Sequence, residues 1–269
     1  MPQFDVTAGQ ANAEPDSIAP IMIKSSLKDG TIVSEASHRE ISDLVSDGRI
    51  VILRGIFEPQ LMLEYRDAVL RWARLNSPFP HGTSPSILPE LNFHRIDDGV
   101  IKSVCPHIFH QFGFNSIGKL DDYVGKPSRD IAEPMRVLQN EFAGTDFPFS
   151  LTGLRLKILH YPSGGGFLAQ HSHPLEPQRI GLIASLSRIG EDVRTGATCF
   201  LTPYGRVDTT ESHDIGDIAI FRYDLPHEVT IVDADQPLDW NSAAGKWSVV
   251  LELRETHALS HSRQSASAS

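Results

Sequence analysis

The stretch YPSGGGFLAQHSH, residues 161–173, decides how the rest of the chain is interpreted. Its glycines predict a tight turn, because a residue without a side chain tolerates unusual backbone angles and lets another segment approach closely. The residues after the turn predict a strand that ends in two histidines, one residue apart. Side chains at positions i and i+2 of a strand point to the same face, so His171 and His173 can reach one point.

A third histidine, His227, lies in the segment DLPHEV, residues 224–229, next to another apolar run. Three converging neutral imidazoles form a site suited to Fe(II), Zn, Cu or Ni. The alternative for an isolated H-x-H pair is two hydrogen-bonded histidines at a strand end, and the pair alone favours this alternative. The first cupin motif is another candidate, because Gly165 and the H-x-H fit it, although Glu176 comes one residue early.

The pattern of the chain changes from helical to β at about residue 151. Residues 50–55 predict a short buried strand, and apolar residues recur at helical spacing over residues 58–75 and 128–142, with Ser128 as a candidate N-cap. The stretch 76–118 is rich in Pro, His and Phe and is predicted to be a long loop. The later strands are predicted at Leu154–His160, Phe167–His171, Arg179–Leu186, Ala197–Leu201, Ile218–Phe221, Val229–Val232 and Trp247–Leu253. Helices that precede strands indicate an α+β fold.

Four segments follow one another in the order of the motifs of a known superfamily, and together they resemble it. They are YPSGGGFLAQHSH, IGDIAIF (215–221), LPHEV (225–229) and GKWS (245–248). Together they resemble the Fe(II)- and 2-oxoglutarate-dependent dioxygenases over residues 154–253, and IVILRGIFEPQ (50–60) resembles that family's early strand and helix more weakly. The resemblance implies a double-stranded β-helix, or jelly-roll, core at about 151–256 with N-terminal supporting helices.

The resemblance also implies a site. Fe(II) would be held by His171, His173 and His227, and the cosubstrate 2-oxoglutarate would bind Lys246, Ser248 and Tyr161. Two positions depart from the family pattern: His173 stands where the family has Asp or Glu, and Lys246 stands where it has the 2-oxoglutarate-binding Arg. Lysine binds a carboxylate as a point charge rather than as a bidentate fork.

Five further residues are candidates for the substrate pocket. They are Arg155, Arg179, His107, His110 and Gln111. Arg155 and Lys157 give one face of their strand a polar character, so this face either meets solvent or lines the barrel. Glu176 is a reserve carboxylate ligand whose simpler interpretation is a solvated loop acid.

The resemblance implies an enzyme that hydroxylates a small molecule with O₂ and 2-oxoglutarate and releases succinate and CO₂. Two other hypotheses stay open. A three-histidine iron dioxygenase would need no 2-oxoglutarate, and a non-catalytic jelly-roll protein would bind a metal or a small acid. Dependence on 2-oxoglutarate separates the first hypothesis from the second, and turnover with O₂ separates both from the third.

The composition of the chain limits the classes of partner and the cellular compartment that can be expected. The chain has 269 residues and a formal net charge of −10, so no basic stripe is offered to nucleic acid. It has two cysteines, no signal-peptide pattern at its start and no apolar run of the ~20 residues that a spanning helix needs, which predicts a cytoplasmic protein without a membrane partner. Residues 1–20 are predicted to be a flexible arm, 21–259 one domain and 260–269 a disordered tail, and the oligomeric state is left open.

Overall fold

A computed structural model of the chain describes residues 17–75, 93–97, 105–114, 122–150 and 153–253. The helices within these ranges are α1 (His38–Ser46), α2 (Pro59–Leu75) and α3 (Asp122–Ala143). The strands are β1 (Ile21–Lys28), β2 (Thr31–Ser34), β3 (Val51–Arg54), β4 (Phe93–Asp97), β5 (His107–Phe114), β6 (Leu154–Pro162), β7 (Phe167–His171), β8 (Ile180–Ser185), β9 (Thr198–Thr202), β10 (Gly205–Asp208), β11 (Ile218–Arg222), β12 (His227–Val229) and β13 (Gly245–Leu253).

The strands form one sheet that folds over into two halves. One half has the order β10-β9-β12-β7, and the other has the order β6-β13-β8-β11-β3-β1-β2. Strand β5 joins them, because it pairs with both β6 and β7, and β4 pairs with β5 alone. A cavity lies between the halves, since strands of both contribute side chains to its wall.

Two neighbouring strands of the larger half, β6 and β13, set the inside and the outside of the fold. They pair antiparallel over nine residues of each strand, from Gly245 opposite Pro162 to Leu253 opposite Leu154. The outward apolar side chains of both strands pack in one core with residues of α2 and α3. Because side chains alternate along a strand, the inward set is Arg155, Lys157, Leu159 and Tyr161 on β6 and Lys246, Ser248, Val250 and Glu252 on β13.

Several element predictions need correction. Residues 93–97 and 105–114 form strands β4 and β5 within the stretch predicted to be a long loop. The predicted N-cap Ser128 is buried inside α3, where its hydroxyl donates to the carbonyl oxygen of Val124 at 2.7 Å, so the helix begins earlier than predicted. The strand predicted at Val229–Val232 is His227–Val229 instead.

The end of the predicted N-terminal arm contacts the sheet. Ser17 bridges to Arg206, and the backbone N–H of Ile18 donates to the carbonyl oxygen of Arg206 at 2.8 Å, so residues 17 and 18 lie against β10. Residues 1–16 and 254–269, which include the predicted tail, lie outside the described residues. The assignment of 21–259 to one domain stays a prediction. None of the three described helices is long and apolar enough to cross a membrane.

Replacement of Gly216 by alanine is expected to destabilise the fold by about 3 kcal/mol. Gly216 has φ of +84° just before β11, and a Cβ there would collide with the carbonyl oxygen of Phe57. Gly30 provides the matched control, because its φ is +76° and no atom lies within 4 Å of its Cβ position. Gly30→Ala is expected to cost only the backbone term of about 1 kcal/mol in urea unfolding, and equal losses in both variants would contradict the steric explanation.

Candidate active site

Three histidines converge where β7 and β12 meet. His171, at the end of β7, is the register partner of His227, at the start of β12. His173 follows two residues later, and the ring centroids are 4.3 Å apart for His171 and His227, 5.0 Å for His171 and His173, and 5.4 Å for His173 and His227. One ligand atom of each ring lies within 4.8 Å of the others, and no other His, Cys, Asp or Glu group within the described ranges meets this criterion.

Backbone carbonyls fix two of the rings in the state that a metal needs. Nδ1 of His171 lies 3.0 Å from the carbonyl oxygen of Ala169, and Nδ1 of His227 lies 2.9 Å from that of Leu225. A carbonyl oxygen only accepts, so each Nδ1 carries the proton and Nε2 keeps its lone pair. Burial and the neighbouring His171 hold the pKa of His227 well below its usual range, which keeps this imidazole neutral. The cluster therefore fits a divalent transition metal.

The third ring is oriented by an aromatic neighbour. His173 stacks on Tyr223, with ring centroids 4.4 Å apart and an angle of 10° between the planes. Tyr223 is itself buried and lines the same cavity. Sequence reasoning missed Tyr223, because nothing in its local sequence indicates that it contacts His173.

The histidine cluster opens on a cavity of about 570 Å³. This volume lies within the ordinary range of small-molecule sites, roughly 300–1,000 Å³. Much of the wall is apolar and comes from both halves of the sheet; it includes Phe109, Leu159, Leu168, Ile183, Val229 and Val250. A metal bound to the histidines would therefore face a largely water-excluding space that accepts an organic ligand.

Buried polar groups at a second position suit an organic anion. Lys246 and Tyr161 are register partners on β13 and β6, and both are buried. Ser248, two residues along the same face of β13, lines the cavity, and its buried hydroxyl has no hydrogen-bond partner within the described residues. Burial lowers the pKa of Lys246 to about 8, although Cys199 and Asp208 oppose the shift. A buried cation beside an unsatisfied hydroxyl calls for an anionic acceptor, and 2-oxoglutarate fits this donor set.

His213 is a second residue that sequence reasoning missed. Its Nε2 lies 3.2 Å from the carbonyl oxygen of Asp217 and therefore donates to it. Burial first, and then the charge of Lys246, lower the pKa of His213 to about 3. The His213 ring is therefore neutral beside Lys246.

Of the predicted substrate residues, Gln111 lines the cavity. Arg155 donates from Nη2 to Oε2 of Glu252 at 3.1 Å. Lys157 also forms an ion pair with Glu252, and both of these side chains line the cavity. The polar face of β6 therefore points into the barrel and not into solvent. Glu252 is a third residue that sequence reasoning missed.

The structure does not bring the other candidates to the cavity wall. His107 bonds through Nδ1 to the carbonyl oxygen of Cys105 at 2.8 Å, and His110 faces His160 and Trp240 on the opposite side of β5 from Gln111. Arg179 is half-exposed and pairs with Glu176, which is exposed and outside the histidine cluster. The predicted substrate contacts of His107, His110 and Arg179, and the reserve ligand role of Glu176, stay predictions.

No protein-family model and no curated protein sequence matches the chain. Solved structures do match it, among them a prolyl-4-hydroxylase from Pseudomonas putida, with a TM-score of 0.54, 11% identity, and coverage of 81% of this chain and 98% of that chain. The chain has the fold of the 2-oxoglutarate- and Fe(II)-dependent oxygenases. The predicted α+β class with a double-stranded β-helix core is thereby confirmed.

Two further structures share this oxygenase fold. A prolyl hydroxylase from Trichoplax adhaerens, in complex with a peptide fragment of hypoxia inducible factor, gives a TM-score of 0.52 at 14% identity and covers 83% of this chain and 94% of that chain. The epimerase SnoN, in complex with Fe³⁺, α-ketoglutarate (2-oxoglutarate) and nogalamycin RO, gives a TM-score of 0.52 at 12% identity and covers 80% and 82%. At these identities the likeness establishes the fold alone.

Proposed function

We propose that this protein is a non-haem iron oxygenase that uses 2-oxoglutarate and O₂ to hydroxylate a small molecule, with release of succinate and CO₂. One observation carries the proposal: a cluster of three imidazoles and a buried Lys246–Ser248 position occur in the same barrel interior. The oxygenase fold and the SnoN complex with Fe³⁺ and α-ketoglutarate support the same choice of metal and cosubstrate.

His171, His173 and His227 would hold Fe(II), and the bound iron would supply the oxidising chemistry with O₂ and 2-oxoglutarate. The carbonyls of Ala169 and Leu225 hold the protons of His171 and His227 on Nδ1, which leaves the lone pairs of the Nε2 atoms for a metal that these residues would hold. Tyr223 keeps the plane of His173 in place by stacking. These contacts preorganise the ligand set.

Lys246 and Ser248 would bind the distal carboxylate of 2-oxoglutarate, with Tyr161 beside them. The Lys246 ammonium supplies the opposite charge, and the unsatisfied Ser248 hydroxyl donates a hydrogen bond. The apolar side chains of the cavity wall limit the access of water, which strengthens both interactions.

A second candidate is a dioxygenase that needs no 2-oxoglutarate. The observation that favours it is His173, because a neutral ligand in place of a carboxylate leaves the full charge on the metal. A metal with this charge attracts an anionic substrate directly. The two candidates share the histidine centre and differ in what occupies the Lys246 position.

The test is an anaerobic titration of the metal-free protein, first with Fe(II) and then with 2-oxoglutarate. The first candidate predicts a saturable visible charge-transfer band, because the oxo acid chelates iron through its 2-oxo and adjacent carboxylate groups. Glutarate, which lacks the 2-oxo group, is the control and is expected to give no band. Iron binding without a band from 2-oxoglutarate would reject the first candidate in favour of the second.

A further inference from the structure

A buried cluster of charges lies on the wall of the cavity. Lys157 and Glu252 both line the cavity and form an ion pair, and Nη2 of Arg155 lies 3.1 Å from Oε2 of Glu252. The side chains of Lys157 and Glu252 are 17% and 9% exposed. One carboxylate therefore holds two cations, and this group is called the Glu252 cluster below.

The Glu252 cluster is costly for the fold. Burial, with a smaller contribution from the charge of Arg155, lowers the pKa of Lys157 in spite of the attraction of Glu252. Buried ion pairs can often be replaced by apolar side chains without loss of stability. The inward neighbours Leu159 and Val250 are apolar, so the barrel accepts such residues here. Charges retained in a cavity under these conditions point to ligand recognition.

Lys157 is the member of the cluster that suits a ligand. Glu252 already accepts from two cations. The ammonium group of Lys157 has three N–H donors, and Glu252 is the acceptor found for it within the described residues. Gln111 adds an amide to the same part of the wall. Its register partner on β6 is Leu159, two residues from Lys157 on the same face, and both Gln111 and Lys157 line the cavity. An ammonium beside an amide N–H₂ is a donor set for a carboxylate.

The cluster lies in the cavity of the histidines and is separate from Lys246. Lys157, Glu252 and Tyr223 line the same cavity, and Tyr223 stacks on His173, so the cluster shares this cavity with the histidines. Lys157 pairs in register with Val250, four residues along β13 from Lys246. At ~3.3 Å per residue, the two lysine positions are ~13 Å apart along the strand. Each position can therefore receive its own anion.

We propose that the substrate is a carboxylic acid whose carboxylate binds Lys157 and Gln111 while its hydrocarbon part lies against the apolar wall beside the histidines. Glu252 and Arg155 act as positioning residues that hold Lys157. The identification of this ligand as the substrate rests on the proposed function, whereas its binding does not.

The experiment compares matched ligands by isothermal titration calorimetry on the full chain with Zn(II) in place of iron. The probes are three acids (hexanoate, phenylpropionate and cyclohexanecarboxylate), each with its primary amide and the corresponding amine. At least one acid is expected to bind tenfold or more tightly than its amide and its amine. Lys157→Met should remove this preference without changing amide binding, Lys157→Arg should keep part of it, and the exposed Lys126→Met is the control.

Three results would overturn the inference. The first is that no acid binds more tightly than its amide, and the second is that an amine binds most tightly and loses this advantage in Glu252→Gln. The third is that acid binding is lost in Lys246→Met but kept in Lys157→Met. Circular dichroism establishes that each variant is folded, and Lys157→Gln replaces Lys157→Met if the latter is not. Binding to the Zn(II) protein needs no turnover, so an acid preference in a protein without the Fe(II) and 2-oxoglutarate band would reject the 2-oxoglutarate-dependent candidate and keep the carboxylate site. The band without an acid preference would keep the 2-oxoglutarate-dependent candidate and reject the carboxylate site.

Discussion

Replacement of His227 by alanine is expected to lower Fe(II) affinity by more than a hundredfold and to abolish 2-oxoglutarate turnover. Loss of a partner that only orients a metal ligand costs about 10–100-fold, so loss of a ligand itself should cost more. His227 is the buried member of the cluster, and no carboxylate stands in the metal-binding group to replace it. The measurements are iron content after desalting and succinate formation in air.

His107→Ala is the matched control for this prediction. His107 is also buried and donates from Nδ1 to the carbonyl two residues earlier, but it lies outside the histidine cluster. We expect it to retain iron. Circular dichroism separates loss of the metal from loss of the fold, and a folded His227→Ala protein with unchanged iron would reject the proposed ligand set.

Replacement of Lys246 by methionine is expected to weaken 2-oxoglutarate binding by about a hundredfold or more while Fe(II) binding is unchanged. A buried carboxylate that loses its cation costs about 3–5 kcal/mol, and each 1.4 kcal/mol is tenfold in affinity. The measurement is the 2-oxoglutarate titration of the iron-loaded variant. Lys246→Arg restores the charge and should recover much of the affinity, and normal binding in Lys246→Met would show that another group holds the cosubstrate.

The pH dependence offers a second readout of the same residue. The pKa of Lys246 is lowered to about 8, so the ammonium loses its proton as the pH rises through 8 in the ligand-free protein. The affinity for 2-oxoglutarate should therefore be constant below this pH and fall above it. Arginine stays charged throughout this range, so Lys246→Arg should remove the alkaline decline.

The metal-ligand set could be proposed from the sequence because two residues at spacing i and i+2 share a face in any strand. The contacts of Tyr223 and Glu252 could not, because they depend on how distant strands align. Glu252 meets Arg155 across 97 positions of the chain, and only the register of β13 on β6 brings them together. Local sequence carries no signal of that register.

The fold was predictable where one face of an element is clearly apolar. Strand β5 was missed because both of its faces are covered: Gln111 faces the cavity, whereas Phe112 is buried in the main core. Its sequence HIFHQFGF therefore lacks a polar and apolar alternation. The start of α3 was missed because Pro127 and Ser128 resemble a helix start, whereas Ser128 is held inside the helix by Val124 and by the Tyr65 hydroxyl at 2.9 Å.

The central place of β13 has a consequence for how the chain folds. β13 is the last of the described strands, yet it lies between β6 and β8, far from it in sequence. Sheets built from such non-local pairs fold slowly, commonly in milliseconds to seconds. During synthesis, one edge of β6 and one edge of β8 emerge before their partner and remain open to other chains. The sheet should therefore close only after β13 has been made, and newly made protein should be prone to aggregate until β13 inserts.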